Sequence, residues 1–481
     1  MKTQSVKKNF IYQLFYKIII FIIPVIISPY LTRTLGKESL GIYTYTYSIA
    51  YYFVVACMLG ILKYGQRIIA TQRDNELCLR KTFWSLFFVH FLISIIVLGA
   101  YFIFLKLYGE YEKVFWAQLL FVISAAFDIT WLFYGLENFR VVVVRNFIIK
   151  ILSTVFIFIF VKSPSDLLLY TCIMAGSTLL GNIIVIPTSI KIIKPIKFSA
   201  KDCIKHLKPL FILSIAVIAA TLYTVFDKTL IGIIVNKESV AFYEYSHQII
   251  MMPISIILVI GTVLYPKSCS CLAKNDFDGM KKYFRIAVEF TYFIAFGSIV
   301  GLIFVSDMFV DLYYGIDFLP CSELIKTMTP IILIITLGDI FRTQYLIPLG
   351  KDIAYIVIAV INAIINVLLS IILLNTIGVQ GAVIGTISAE LFGTCAQAFI
   401  CRKYIDFKSV LSLSVVYIIS AVIMGLALFG LTKWLNEHSW KNLVIIIGIG
   451  FFTYLLTALF VMFFDKNRRN LIIGYFSKRK N

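Results

Sequence analysis

The first residues of this sequence that could do chemistry are ionisable side chains embedded in long apolar stretches. A charged side chain at the centre of a bilayer costs about 3 kcal/mol on insertion scales, so such residues normally face a protein interior or a wet cavity. There, carboxylates and histidine could bind a cation or a proton, and basic side chains could bind an anion. These residues are Lys17, Asp128, Lys150, Asp227, Lys228, Glu244, His247, Glu289, Asp339, Arg342 and Glu390.

Two clusters of these residues have competing interpretations. Asp227 and Lys228 are adjacent, so they could form a local ion pair, or Lys228 could bind a phosphate while Asp227 binds a coupling cation. Glu244, His247 and Gln248 recur at helical spacing and form a polar stripe on an otherwise apolar segment. His247 is a candidate proton site because histidine titrates near neutral pH, and a neutral histidine bonded across helices is the alternative.

Aromatic and proline residues suggest further roles. Tyr43, Tyr47 and Tyr51 recur every four residues, a spacing that places three phenol rings on one helix face. Such rings suit sugars, although tyrosines also form interfacial belts in membrane proteins. Lys17 and Pro24 lie on a first apolar segment that could bend at its proline, and a lysine reaching for the membrane surface beside a fixed kink is the alternative.

The elements that must position these residues are membrane-spanning helices. The 481 residues are 60% hydrophobic and 14% charged, with a mean hydropathy of +0.93, and runs of about 20 apolar residues recur along the chain. Solid apolar runs predict helices rather than alternating barrel strands. We predict an all-α polytopic membrane protein with fourteen spans: Phe10–Leu31, Leu40–Leu62, Thr82–Leu105, Val114–Gly135, Val141–Val161, Leu167–Pro187, Leu210–Val235, Val240–Leu264, Ile286–Val305, Leu324–Leu346, Ile353–Leu374, Val379–Ile400, Val410–Leu431 and Leu443–Phe464.

The distribution of basic residues predicts the orientation. Most of the 44 Lys and Arg residues fall in loops on the side of the N-terminus, so we expect both termini in the cytoplasm. The net charge of +19 is spread along these loops, where it favours contact with anionic lipids and not with nucleic acid.

A repeat divides the chain. Lys37–Tyr45 (KESLGIYTY) is echoed by Lys237–Tyr245 (KESVAFYEY), which suggests two seven-helix pseudo-symmetric halves with inverted topology around a central cavity. We predict an N-terminal lobe over 1–200 with six spans and a cytoplasmic loop, a second repeat over 201–400, and two further spans with a basic tail over 401–481. Inverted repeats of this kind predict transport by alternating access.

Several chemistries have no signature in the sequence. The nine cysteines show no paired spacing, so we expect reduced thiols and no metal site. There is no glycine-rich phosphate loop, nucleophile elbow or paired acidic motif, which disfavours an ATP-driven pump, a sugar transferase and any resident cofactor.

Short motifs resemble a known family. Pro29-Tyr30-Leu31-Thr32-Arg33-Thr34-Leu35-Gly36, followed by Gly41-Ile42-Tyr43, resembles the opening of bacterial polysaccharide flippases of the Wzx type, members of the multidrug, oligosaccharidyl-lipid and polysaccharide exporter superfamily. Weaker matches occur in order at Asp128-Ile129-Thr130-Trp131, Gly135-Leu136-Glu137, Phe226-Asp227-Lys228, Tyr265-Pro266-Lys267 and Glu390.

The resemblance implies a substrate and partners. It implies an undecaprenyl-pyrophosphate-linked oligosaccharide moved across the bacterial cytoplasmic membrane, received from glycosyltransferases and passed to a polysaccharide polymerase. We expect Lys17, Arg33, Lys228 and Arg342 to hold the anionic headgroup, with Tyr43 and Tyr47 against the sugars, although Arg33 could equally anchor a helix end. Candidates for coupling to a proton or sodium gradient are Asp128, Asp227, His247 and Glu390.

Three alternatives remain open. A lipid II flippase shares the fold and the lipid carrier. A cation-coupled multidrug antiporter of the same superfamily typically has twelve helices and a more acidic cavity. A membrane polymerase or ligase normally needs a large catalytic loop, and the segment near Asp307 to Glu323 is short.

Overall fold

The computed structural model describes residues 23–464, apart from the side chains of residues 216, 219, 220, 222–224 and 464. Every regular element in this range is helical, which confirms the predicted all-α class. Lys17 and the start of the first predicted span lie outside it. In chain order the helices are α1 (23–34), α2 (Gly36–Met58), α3 (Ile61–Gln72), α4 (Glu76–Leu107), α5 (Glu112–Ala126), α6 (Thr130–Gly135), α7 (Phe139–Phe160), α8 (Leu167–Ile192), α9 (Ala200–Ile234), α10 (Lys237–Ala273), α11 (Phe277–Tyr313), α12 (Pro320–Met328), α13 (Pro330–Phe341), α14 (Asp352–Ile377), α15 (Val379–Cys401), α16 (Phe407–Trp434) and α17 (Trp440–Phe464).

Twelve stretches of the described chain are long and apolar enough to cross a membrane. They correspond to twelve of the fourteen predicted spans. The other two predicted spans are the first, which begins before residue 23, and the seventh, which coincides with the 35-residue helix α9. Backbone groups in hydrocarbon must bond within their own helix, which is why these apolar segments are helical. The count of fourteen stays a prediction.

Polar residues fix where several helices begin. The Asn75 side chain accepts a hydrogen bond from the Cys78 N–H at 3.1 Å and caps α4. Ser199 and Asp202 form a reciprocal capping box at the start of α9. Such caps satisfy N–H groups that have no partner inside the helix, and each contributes about 1 kcal/mol.

Two predicted spans in the first half of the chain are interrupted. After α2 the backbone takes left-handed dihedrals at Leu59 (φ 37°) and Gly60 (φ 71°), and α3 then continues the chain to Gln72. Glycine suits this break because it adopts positive φ without a steric penalty. The span predicted over Val114–Gly135 is also broken, since α5 ends at Ala126 and the short α6 starts at Thr130.

The chain forms two compact units, the first ending at Ala241 and the second starting at Phe242. In the first unit, α2 packs against α4, α5, α8 and α9. His206 of α9 ties two of the other helices together: its Nδ1 lies 2.8 Å from the Tyr64 hydroxyl of α3, and its Nε2 lies 3.1 Å from the Ser85 hydroxyl of α4. The lobe boundary predicted at residue 200 refers to the sequence repeat and stays a prediction.

The second unit is organised around α11, which packs against α12, α13, α16 and α17. Helices α14 and α15 form a tight hairpin. The span predicted over Leu324–Leu346 is built from three pieces: α12, α13 and a π-helical turn over Arg342–Leu346. A π-helical turn contains one more residue than an α-helical turn and often marks a functional position.

The start of the second copy of the repeated motif, Lys237–Ala241, belongs to the first unit and contacts the first copy there. Lys37 of the first copy forms an ion pair with Glu238 of the second at 3.0 Å. Gly41 lies so close to the Lys237 backbone that an added Cβ would collide with the Lys237 carbonyl group. The absence of a side chain at Gly41 therefore allows this approach.

Replacing Gly41 by Val should destabilise the first unit. The extra carbon atoms cannot fit against the Lys237 backbone, and overpacking of this kind costs about 1–3 kcal/mol. Gly99→Val is the control, because beyond its chain neighbours and the backbone of its own helix no atom lies within 4 Å of a Cβ at Gly99. Thermal unfolding of the purified protein should show a lower midpoint for Gly41→Val than for Gly99→Val, and equal midpoints would contradict the close contact.

Candidate functional site

Three half-buried tyrosines form a continuous aromatic surface on α2 in the first unit. The rings of Tyr43 and Tyr47 are stacked with centroids 6.0 Å apart. The rings of Tyr47 and Tyr51 come next, with centroids 5.7 Å apart. We call these three residues the tyrosine ladder. The structure thus brings together the three rings that the four-residue spacing predicted on one face.

Neighbouring helices hold the tyrosine ladder in place. Tyr170 of α8 packs edge-on against Tyr43 with a centroid distance of 4.7 Å. Phe121 of α5 packs edge-on against Tyr47 at 5.1 Å. Edge-to-face contacts of this kind add about 1 kcal/mol beyond burial. These contacts orient the rings of Tyr43 and Tyr47.

The hydroxyls beside the tyrosine ladder are already used. Thr44 donates to the Leu40 carbonyl at 2.8 Å, and Ser48 donates to the Thr44 carbonyl at 2.7 Å. Both residues are buried. The surface that a ligand could meet on this face of α2 is therefore mainly aromatic.

Asp227 and Lys228 lie on α9, which packs directly against α2. Asp227 is 3% exposed, whereas Lys228 is half-buried. The next residue, Thr229, has its hydroxyl 3.0 Å from the Tyr52 hydroxyl of α2. The structure therefore places this pair of charges in the same unit as the tyrosine ladder, on the helix beside it. The side chains of Tyr223 and Thr224 lie outside the described part.

A second cluster of the first unit surrounds Lys237. The ammonium of Lys237 donates to the Gly232 carbonyl at 2.5 Å and lies 3.7 Å from the ring centroid of Tyr45. The ring of Tyr111 is 5.7 Å from the same ammonium. Burial, together with the nearby carboxylates of Glu110 and Glu38, raises the pKa of Tyr111 above its ordinary value. This cluster was not predicted from the sequence.

Asp128 and Arg33 each lie close to the end of a helix. The Asp128 carboxylate accepts from the Thr130 N–H at 2.9 Å and from the Thr130 hydroxyl at 2.6 Å, just before α6. These bonds give Asp128 a role in starting that short helix. Arg33 is exposed near the end of α1, as expected for either a headgroup contact or a membrane-edge anchor.

In the second unit, the polar stripe of α10 is formed as the spacing indicated. The His247 ring stacks on Tyr243 with a centroid distance of 6.2 Å, and Gln248 donates to the Glu244 carboxylate at 3.3 Å. His247 is half-buried. Its role as a proton site stays a prediction.

Arg342 is engaged within its own unit. It forms an ion pair with Asp339, which is 8% exposed, and it donates to the Tyr355 hydroxyl at 3.3 Å. Glu390 is half-buried on α15, one turn after Thr386, whose hydroxyl lies 3.1 Å from the Asn366 amide. The pairing with Asp339 gives Arg342 a structural task that the sequence did not reveal.

An apolar groove of about 380 Å³ opens among α10, α11, α16 and α17. Gly297, Gly301 and Gly450 leave room along its wall, and Met252, Phe309 and Phe451 contribute to its lining. We call it the apolar groove. The groove was not predicted from the sequence, although the four-residue spacing of Gly297 and Gly301 indicates close helix packing or an open surface. In the described residues no group of three or more His, Cys, Asp or Glu could hold a metal ion.

The helices of membrane length form two compact units, one with an aromatic face and the other with an apolar groove. These features define a polytopic α-helical membrane protein. The chain belongs to the polysaccharide biosynthesis protein family, whose model matches residues 6–270, more than half of the sequence. The family resemblance carried by Pro29 to Gly36 is thereby confirmed.

Individual proteins agree with this assignment. A "Putative O-antigen transporter" of Shigella dysenteriae is 24% identical over 386 residues, covering 77% of this chain and 93% of the relative. The "Probable low-salt glycan biosynthesis flippase Agl15" of Haloferax volcanii is 22% identical over 327 residues, 66% of each chain. A solved structure, "Lipid II flippase MurJ, inward closed conformation", aligns with a TM-score of 0.73 at 20% identity, covering 96% of this chain and 99% of the other. That likeness shows the fold. The names of the three proteins describe a transporter or a flippase, and none describes an enzyme.

Replacing Arg342 by Gln should destabilise the second unit. The change leaves the buried Asp339 carboxylate without its ion-pair partner, at a cost of about 1–3 kcal/mol. Adding Asp339→Asn to Arg342→Gln should recover much of this loss, because no buried charge then remains at either position. Thermal unfolding of both variants tests this, with the exposed Arg402→Gln as control. An unchanged midpoint for Arg342→Gln would release Arg342 for a role in binding ligand.

Proposed function

We propose that this protein is a flippase that moves an undecaprenyl-pyrophosphate-linked oligosaccharide repeat unit from the cytoplasmic to the outer leaflet by alternating access. The product would serve capsular or other cell-surface polysaccharide synthesis. The protein would lie in the bacterial cytoplasmic membrane with both termini in the cytoplasm. The observation that carries the proposal is the tyrosine ladder, set in a chain of the polysaccharide biosynthesis family.

The tyrosine ladder is suited to sugar rings. A pyranose presents C–H patches on its faces and hydroxyls at its rim, and aromatic rings bury the former while tyrosine hydroxyls bond to the latter. Three rings spaced about 6 Å apart would contact successive parts of an oligosaccharide. Because Thr44 and Ser48 bond to their own helix, the ladder would recognise sugars chiefly by stacking. Stacking on an aromatic ring tolerates many sugar types, so the ladder by itself would not select one sugar.

The pyrophosphate would be held by basic side chains. Lys228 is the best placed, since it lies on the helix that packs against α2. Lys17 and Arg33 would contribute from the first span, and Arg342 would do so only if it left Asp339. A cation that replaces the lost water around a pyrophosphate reduces the large cost of moving that group across hydrocarbon.

The lipid tail would remain in an apolar environment. It would stay among the bilayer lipids, because the surrounding hydrocarbon already accommodates an isoprenoid chain and the tail then never enters a polar space. Asp128, Asp227, His247 and Glu390 are the candidates for ion coupling, and Asp227 is the most buried of them. It would bind a proton or a sodium ion when the nearby Lys228 binds the pyrophosphate.

A lipid II flippase is the second candidate, because the fold match to "Lipid II flippase MurJ" spans nearly the whole chain. Both activities use a polyprenyl-pyrophosphate carrier, so the sugar part distinguishes them. The deciding experiment is reconstitution into vesicles with fluorescent undecaprenyl-pyrophosphate carrying either an oligosaccharide or the lipid II headgroup. We expect protein-dependent reorientation of the oligosaccharide lipid, enhanced by a pH or sodium gradient. Movement of lipid II alone favours the second candidate, and export of small cations alone removes both.

Tyr47→Ala should lower the rate of oligosaccharide reorientation about tenfold, since loss of one aromatic contact removes roughly 1–2 kcal/mol of apolar burial. Tyr47→Phe should retain most of the rate because stacking is preserved. Phe156→Ala, which removes an aromatic ring from the exposed face of α7, serves as the control. A rate for Tyr47→Ala equal to that of the control would remove the tyrosine ladder from the proposal.

Lys228→Ala should reduce transport by at least about tenfold while the protein still inserts into the membrane, because a pyrophosphate oxygen loses a charged partner worth about 1.5–3 kcal/mol. Lys201→Ala, which alters an exposed lysine at the start of the same helix, should behave like the unaltered protein. Transport is measured in the same vesicles and insertion by the amount of protein recovered in them. Full activity of Lys228→Ala would exclude this residue from headgroup binding.

A further inference from the structure

Helices α7 and α8 of the first unit pack closely near Ile149 and Gly181 and move apart towards Arg140 and Thr188. At the close end, a Cβ on Gly181 would lie 3.3 Å from Ile149. Beside it, Arg145 of α7 donates to the Asn182 amide oxygen of α8 at 3.1 Å. Beyond this bond the two helices leave a cavity of about 550 Å³ that extends to Arg140 and Thr188. We call it the arginine groove.

The walls of the arginine groove are apolar and accessible. Val141, Val144, Ile148 and Ile149 form a stripe at helical spacing on α7, and Ile184 and Val185 face them from α8. Val144 is 41% exposed, Ile148 is 49% exposed and Ile184 is 59% exposed. In a membrane protein such side chains contact hydrocarbon. A chain of CH₂ groups therefore suits this wall.

Two arginines line the groove, Arg140 at its far end and Arg145 at the close end. Arg140 is exposed at the start of α7, and Asn138 and Thr188 lie beside it in the lining. The Arg145 guanidinium donates to the Asn146 amide oxygen at 2.9 and 2.7 Å as well as to Asn182. Amide oxygens orient a guanidinium without a formal charge of their own.

The orientation of Arg145 is itself anchored. Asn182, which receives its hydrogen bond, donates in turn to the Ser124 carbonyl of α5 at 2.8 Å. This chain of bonds joins three helices and fixes one cation beside the apolar wall. All three guanidinium nitrogens of Arg145 already donate to the two amides, so Arg145 offers a phosphate a positive charge at a fixed position.

We propose that the arginine groove binds one anionic membrane phospholipid, with the phosphate between Arg140 and Arg145 and an acyl chain along Val144, Ile148 and Ile184. Free phosphate would leave the apolar wall uncovered. A zwitterionic lipid would bring an ammonium group next to two arginines, which is unfavourable. This site is separate from the tyrosine ladder and does not depend on the transported substrate.

The test is binding of phosphatidylglycerol and phosphatidylcholine to the purified full-length protein in mild detergent, counted by mass spectrometry of intact complexes. We expect the first phosphatidylglycerol to bind about tenfold more tightly than phosphatidylcholine, since each basic residue near an anionic lipid contributes about 1 kcal/mol. Arg140→Gln/Arg145→Gln should lose this preference. Equal binding of the two lipids by the unaltered protein overturns the proposal.

Two further variants separate the site from general charge and from folding. Lys191→Gln/Lys194→Gln removes the same two charges at the end of α8 and just beyond it, and should keep the preference; its loss there overturns a localised site. Arg140→Glu leaves the Arg145 to Asn182 bond in place, and should still abolish the preference. Retention of the preference by Arg140→Glu also overturns the proposal.

Competing ligands distinguish the source of the phosphate. Inorganic phosphate at millimolar concentration should not displace phosphatidylglycerol, because it gains nothing from the apolar wall. Farnesyl pyrophosphate should displace the bound phosphatidylglycerol more weakly than added free phosphatidylglycerol does. Stronger displacement by farnesyl pyrophosphate would make the groove a carrier-lipid site and overturn the phospholipid assignment, and displacement by inorganic phosphate would do the same in favour of a simple anion site.

Discussion

The constraint on which this structure depends is that polar groups surrounded by hydrocarbon must find their partners nearby. Backbone groups do so inside helices, and serine and threonine side chains repeatedly do so by bonding to a carbonyl one turn earlier. Thr336, Ser420 and Ser94 all donate in this way, at 2.5, 2.9 and 2.9 Å. As a result, a hydroxyl in the sequence is a poor indicator of a binding surface. The groups left to meet a ligand are aromatic rings and a few charges.

The helices could be predicted from the sequence because apolar runs of membrane length have one solution for their backbone hydrogen bonds. The breaks inside these helices could not be predicted from the sequence. Leu59 has no sequence preference for a positive φ, and the π-helical turn at Arg342 depends on packing contacts that no local pattern encodes. The tyrosine ladder was predictable because four-residue spacing fixes which rings share a face. The apolar groove required knowledge of how α16 and α17 pack.

Charged residues were the least predictable part of the site. A sequence shows that Asp128, Arg342 and Asp227 lie in apolar segments, but not what they contact. The structure gives Asp128 a role at the start of α6 and pairs Arg342 with Asp339, whereas Asp227 is deeply buried on the helix beside α2. The contacts of Asp128 and Arg342 lie only two and three residues away in the sequence. Residue spacing alone does not show that these side chains turn towards each other, so the structure was needed to assign their partners.

The π-helical turn has a consequence for the second unit. The Ile347 N–H bonds to the Arg342 carbonyl at 3.0 Å, five residues earlier. The surplus residue rotates the adjoining part of the helix, so Gln344 turns inward, accepts from Ser268 at 2.5 Å and reaches the Gly261 carbonyl at 3.3 Å. A one-residue deletion here would restore a regular helix yet swing this amide away from α10. Insertions and deletions are usually tolerated best in segments outside the hydrocarbon. At this π-helical turn, a deletion that makes the helix more regular would remove the contacts of Gln344 and so would be poorly tolerated.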